Sequence, residues 1–193
     1  EFSDFFSIIG VSQALNISIG NPLPKDLAKI ENYIDENQHS FMKFNEVAES
    51  IRNNFQSDIE KMYAAYYFIT HHVEYDIQKK LSTNREDSSI EKIFDTKKGV
   101  CSDYSKLFIE MMKKSGVSSK KIPMVYYVNA SKSSNWNSFR PLSYPYFNHA
   151  EVLIKINNEY YISEPTWGAG ITNKDDEYQV NYRKSYFLIP YFK

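Results

Sequence analysis

The hydrophobic period changes once along this chain of 193 residues, and that single change limits the folds open to it. Up to about Gly116 apolar residues recur every three or four positions, as on one face of a helix; from Ile122 they alternate, as on one face of a strand. Leu27, Ile30, Tyr33 and Ile34 form a first helical stripe, which Pro24 can open, and Phe44, Val47, Ala48, Ile51 and Phe55 form a second. Ser57 and Glu60 have the spacing of a capping box, in which each side chain satisfies the other residue's free backbone N–H. The helix they open carries Met62, Tyr63, Tyr66, Ile69 and Val73 on one side. After a polar connector, Gln78 to Asp87, the same box recurs at Ser88 and Glu91, ahead of Ile93 and Phe94. Cys101 to Lys114 is the last predicted helix, and Ser115-Gly116 ends it in the manner of a glycine C-cap.

Strands follow. Met124 to Val128 is β-branched and aromatic, and Ala130 to Asn148 is a polar loop rich in Ser, Asn, Pro and Tyr. His149 to Ile156 alternates with Ala150, Val152, Ile154 and Ile156 on one face. Asn157-Asn158 makes a two-residue turn, because Asn tolerates positive φ, and Glu159 to Ser163 returns. Tyr186 to Ile189 is a last strand, stopped by Pro190. Helices first and an antiparallel sheet afterwards make an α+β fold, with the helical N-terminal half packed on the sheet. Nothing repeats at a fixed period, so one domain over residues 1–193 is expected, with 1–23 as a peripheral extension. A chain this long buries roughly 70% of its unfolded surface and needs no staples. Its 16 Tyr and 13 Phe demand that many tyrosines sit half-buried with their hydroxyls paired.

Composition removes several functions. A single cysteine forms no internal disulfide and no multi-thiolate zinc site. A net charge of -1, from 23 basic and 24 acidic side chains, exerts no general pull on nucleic acid, and neither a phosphate loop nor a basic-aromatic stripe is present. No apolar run approaches the ~20 residues of a membrane span. No cofactor and no metal are expected: His71 and His72 fall late in a helix, where cations suit the dipole, and read as structural rather than as ligands with Glu74 and Asp76. The chain opens on Glu1 without a signal peptide, so a processed or excised form is expected; localisation and oligomeric state are not legible.

Two features carry chemistry. Cys101 follows Gly99-Val100 and begins a helix, where unpaired N–H groups and the dipole favour a thiolate and can serve as an oxyanion hole. Location alone leaves a buried structural cysteine as the commoner alternative. The second feature is a pair. With a two-residue turn at Asn157-Asn158, Ile156 faces Glu159 and Glu151 faces Glu164, so His149 lies one diagonal step from Glu164 on the same face. A carboxylate holding an imidazole is the orienting half of a Cys-His-acid triad.

Gly99-Val100-Cys101-Ser102-Asp103-Tyr104, then Asn148-His149-Ala150, then Tyr160 through Glu164-Pro165-Thr166-Trp167-Gly168-Ala169-Gly170 resemble the three blocks of the transglutaminase-like superfamily. The Thr-Trp-Gly-Ala-Gly ending and the helix running from Ile59 into His72-Val73-Glu74-Tyr75-Asp76 resemble its kyphoscoliosis peptidase branch. The resemblance implies a papain-like α+β core and a catalytic triad of Cys101, His149 and Glu164. One position departs from it: the family's acid is usually aspartate, and here it is the longer Glu164. The expected activity is thiol acyl transfer on peptide or carboxamide carbonyls. Water as acceptor makes a cysteine protease and an amine makes a transglutaminase; the branch resemblance favours hydrolysis of a protein or peptide substrate. Tyr104, Trp167 and, from the loop leading into His149, Tyr146 are the expected substrate contacts. The competing reading is a catalytically weak or inactive interaction module of a larger cytoskeletal or cell-surface protein.

Overall fold

Ser57 and Glu60 open the longest helix as their spacing predicts: Glu60 N–H donates to Ser57 Oγ at 3.2 Å and Ser57 N–H to Glu60 Oε2 at 2.8 Å. The computed structural model describes residues 22–82, 87–118, 123–128, 149–173 and 176–191. The N-terminal extension over 1–21, the loop Ala130–Asn148 and Tyr146 lie outside the described residues. In chain order the elements are α1 (Leu27–Asn37), α2 (Phe44–Asn54), α3 (Asp58–His72), β1 (Glu74–Tyr75), α4 (Ile77–Leu81), α5 (Ile90–Thr96), β2 (Lys98–Gly99), α6 (Cys101–Lys114), β3 (Pro123–Val128), β4 (His149–Ile156), β5 (Glu159–Ser163), α7 (Pro165–Ala169), β6 (Gly170–Thr172), β7 (Tyr178–Val180) and β8 (Ile189–Tyr191).

Strands β3, β4, β5 and β8 form an antiparallel sheet in that order, and α6 lies against β4. The other face of α6 meets α2 and α3, so the core fills the space between the helical half and the sheet. This is the expected α+β arrangement. Ala150, Val152 and Ile154 of β4 are fully buried, together with Leu107, Phe108 and Met111 of α6. Burying each such side chain stabilises the fold by about 1.5–3 kcal/mol. Tyr66 sits between Phe108 and Phe187, with ring centroids at 6.1 and 5.3 Å, and its hydroxyl donates to Arg183 O at 2.7 Å. Tyr63 donates to Glu31 at 2.5 Å, so these buried tyrosines have the partners their burial requires.

Asn157 and Asn158 have φ of 50° and 71°, the pair of left-handed residues that a tight hairpin turn needs. The ladder pairs Ile156 with Glu159 and Val152 with Ser163, the register counted from the sequence. Gly116, at φ 78°, ends α6 as expected.

Four expectations are corrected. Helix α1 starts at Leu27 rather than Pro24, because Asp26 accepts the Lys29 N–H at 3.0 Å and is the stronger cap. Helix α5 is capped by Ser89 on Lys92 N–H at 3.1 Å, whereas Ser88 is buried and accepts from Lys79 Nζ at 2.9 Å. The polar connector is not all loop: Asp76 caps the short helix α4 through Lys79 N–H, and that helix occupies its first residues as far as Leu81. Pro190 does not stop the last strand but pairs with Tyr161 inside it; β8 is a sheet edge, where a residue lacking N–H is tolerated.

Candidate active site

Val100, the residue before α6, has no side chain able to cap a helix, and Asp103 compensates from within the first turn. Its Oδ2 accepts the Val100 N–H at 2.9 Å and is held in turn by Lys79 Nζ at 2.7 Å. Both groups are largely buried, so this anchor is better shielded than a surface pair. Gly99 leaves room for it, since a Cβ there would lie 2.8 Å from Asp103 Cβ. Strand β2 runs parallel to β1, with Tyr75 opposite Gly99. The result is a fixed helix start with the half-buried Cys101 as its first residue.

His149 opens β4. One step beyond the last ladder pair, Glu151 comes opposite Glu164 and brings His149 and Glu164 onto one face. The His149 Nε2 and Glu164 Oε2 are in hydrogen-bonding contact. Glu164 Oε1 accepts the Thr166 N–H at 2.9 Å as the N-cap of α7, whose first residue is Pro165. Both carboxylate oxygens are therefore fixed, and the side chain is almost wholly buried. The Trp167 indole lies on the imidazole at 4.6 Å, with the planes 9° apart. Burial opposes a proton on His149, but the Glu164 charge, the Cys101 thiol against the same ring and the hydrogen bond with Glu164 outweigh it. The His149 pKa is held well above the ordinary imidazole value. With Nε2 turned to Glu164, Nδ1 is the nitrogen left for the thiol.

The expected residues fare differently. Cys101, His149 and Glu164 converge, and Trp167 walls the imidazole. Tyr104 does not face a substrate: it is fully buried and its hydroxyl donates to Val73 O at 2.5 Å, which makes it a strut between α6 and the end of α3. His71 and His72 are engaged through their rings, His71 with Tyr67 O at 2.7 Å and His72 with Phe94 O at 3.0 Å. Among the described residues, no three or more His, Cys, Asp or Glu are placed to hold a metal, and no helix is long and apolar enough to cross a membrane.

Three residues escaped the sequence reading. Asp103 was visible as an acid in the first turn, but its partner Lys79 is 24 residues away. Glu151, two residues along the strand from His149, is 2% exposed, and its Oε1 has no hydrogen-bond partner among the described residues. Burial and then the Glu164 charge push its pKa up to about 8, against a smaller pull from His149. Arg183, beyond the three motif blocks, lines the groove that starts at His149.

The glycine of Thr166-Trp167-Gly168 also has a physical reason. A Cβ at Gly168 would overlap the Tyr66 hydroxyl and sit 2.7 Å from Tyr66 Cζ. Gly168→Ala is expected to destabilise the protein by about 1–3 kcal/mol, as overpacking does. Urea unfolding checks it: Tyr66→Phe, which vacates that space, should restore part of the loss in the double variant.

The family model of the transglutaminase-like superfamily matches residues 45–165. The chain is 26% identical over 145 residues to the kyphoscoliosis peptidase of Mus musculus, covering 75% of this chain and 21% of the mouse protein. The Homo sapiens kyphoscoliosis peptidase is 26% identical over 144 residues, covering 74% of this chain and 21% of the human protein. The chain thus spans about a fifth of the length of these relatives. With the family match running across most of the helical half and on through the hairpin to Pro165, this chain belongs to the transglutaminase-like superfamily.

Proposed function

We propose that the chain is a thiol acyl-transfer enzyme of the cysteine peptidase type. The observation that carries this reading is the His149 imidazole held between the Cys101 thiol and the Glu164 carboxylate at the start of α6. Cys101 Sγ, as the thiolate of a pair whose proton sits on His149 Nδ1, attacks a peptide or carboxamide carbonyl, and a thioester forms when the leaving amine takes that proton. Water, deprotonated by the same nitrogen, then releases the acid. Glu164 keeps the Nε2–H tautomer and stabilises the imidazolium, while the Cys101 N–H at the helix start faces the developing oxyanion. Hydrolysis is preferred to transamidation because the relatives are peptidases by name. A non-catalytic interaction module is the competing reading.

Cys101 is the single cysteine, so any incorporated thiol label reports on it. Iodoacetamide alkylation at pH 7 is expected to slow at least tenfold in His149→Ala, with the fold retained by circular dichroism. Equal rates in the two proteins would sink the triad reading and leave the module.

A further inference from the structure

From His149 a groove of about 680 Å³ runs along Trp167, past Tyr75 and Tyr178, to Tyr186 and Arg183. Its walls are mainly aromatic: Trp167 meets Tyr186 edge-on at 6.0 Å, and Tyr75 stacks on Tyr178 at 6.5 Å. Tyr75 is paired with Gly99, two residues before Cys101, so the groove adjoins the thiol's end of α6. Among its described lining residues the only side chains able to carry charge are His149 and Arg183, and both are basic.

Arg183 is fixed by neutral partners. Its guanidinium lies over the Tyr186 ring at 5.7 Å, and Nη1 donates to the Tyr186 hydroxyl at 3.3 Å. With the Asn181 amide turned to satisfy both residues, its oxygen accepts from Nε at 3.2 Å and Nη2 at 2.8 Å. No carboxylate pairs with Arg183 among the described residues, in contrast to Lys79, Lys80 and Lys184, each of which has an acid. One donor on each terminal nitrogen is left, the set a carboxylate can accept from. The charge is half-buried beside aromatic walls, where an anion gains more from it than on open surface.

We propose that this groove is a specificity subsite for a peptide segment in which an apolar or aromatic side chain stands next to Asp or Glu, with Arg183 pairing the acidic side chain. The inference rests on the reading of the chain as an enzyme of peptide carbonyls and names the substrate class for it. The half-buried rings of Trp167, Tyr75 and Tyr178 take the apolar side chain, and the fixed guanidinium takes the acid beside it.

Binding tests it without the thiol. Fluorescein-labelled hexapeptides, blocked at both ends and differing only in Glu, Gln or Lys after a central Phe, are titrated by anisotropy into the whole chain carrying Cys101→Ala. The Glu peptide is expected to bind about tenfold more tightly than the Gln peptide at low salt, as a charge-assisted hydrogen bond provides. Adding Arg183→Gln should abolish that ratio, Arg183→Lys should keep part of it, and Arg183→Glu should shift the preference to the Lys peptide. Equal affinities in the parent, no binding of any peptide, or a ratio that survives Arg183→Gln overturns the proposal. A chain that turns over substrate without an Arg183-dependent ratio loses this subsite and keeps its reaction. One that keeps the ratio but shows no His149-dependent thiol reactivity loses the reaction and keeps the subsite.

Discussion

Glu164→Gln is expected to lower turnover of a peptide or amide about 100-fold or more while leaving the fold intact. The reason lies in how the side chain is held. Oε1 accepts the Thr166 N–H at the start of α7, so the carbonyl oxygen of a glutamine is kept at that position. Its NH₂ group is then turned toward His149 Nε2. That nitrogen must become the acceptor, the ring proton moves to Nδ1, and the nitrogen left for the Cys101 thiol can no longer take a proton from it. Loss of the negative charge also removes the main influence holding the His149 pKa up against burial. Glu164→Asp is the sharper variant. Aspartate caps a helix well, but with one methylene fewer it cannot hold Thr166 N–H and reach His149 from the same backbone. A misplacement of about 1 Å can cost roughly 10²-fold in rate, so Asp is expected to cost at least tenfold despite being the superfamily's usual acid. Initial rates, with alkylation of Cys101 as a second readout, check both. If neither variant changes either quantity, Glu164 is not the orienting acid.

How far the sequence led depended on whether each feature is local. The hairpin register could be counted because Asn157-Asn158 defines a turn and the strand period is two; one more residue in the turn would have put Glu164 on the opposite face. The Ser57 box was legible for the same reason, since its donors and acceptors lie within four residues. Ser88 shows the converse. Its spacing to Glu91 fits a capping box, yet a lysine nine residues upstream engages its hydroxyl, and the neighbouring Ser89 caps the helix. Pro190 was misread because whether a proline stops a strand depends on edge position, a property of the whole sheet. Tyr104 was misread because its place in a motif block says nothing of its burial. The convergence of Cys101, His149 and Glu164 was legible only through the hairpin and the family resemblance together; Arg183, outside both, was not.

Glu151 should make the protein less stable as pH rises from about 4.5 to 8. Its carboxyl is buried on β4, facing the Glu164 charge, with Oε1 unpartnered among the described residues, and its pKa is pushed up to about 8 from the 4.5 of an unperturbed glutamate. Between those values the unfolded chain sheds the Glu151 proton while the folded chain keeps it. The unfolded state then binds fewer protons, and stability falls with pH across the window and levels off above 8. The full span amounts to on the order of 5 kcal/mol. His149 acts in the same direction from a higher starting point: its contribution is complete below about 6.5 and is lost as pH rises toward its raised folded value. Glu151→Gln keeps the shape, carries no charge in either state and removes only the first of these two losses. Urea midpoints at pH 5, 6, 7 and 8 separate them. The variant is expected to gain about 3 kcal/mol on the parent between pH 5 and 8, with most of the gain already present by pH 7, while the His149 loss is common to both proteins and cancels in the difference. Curves that run parallel across that range would mean that Glu151 ionises normally in the folded protein, and that its carboxylate has a partner or solvent able to carry the charge beside Glu164.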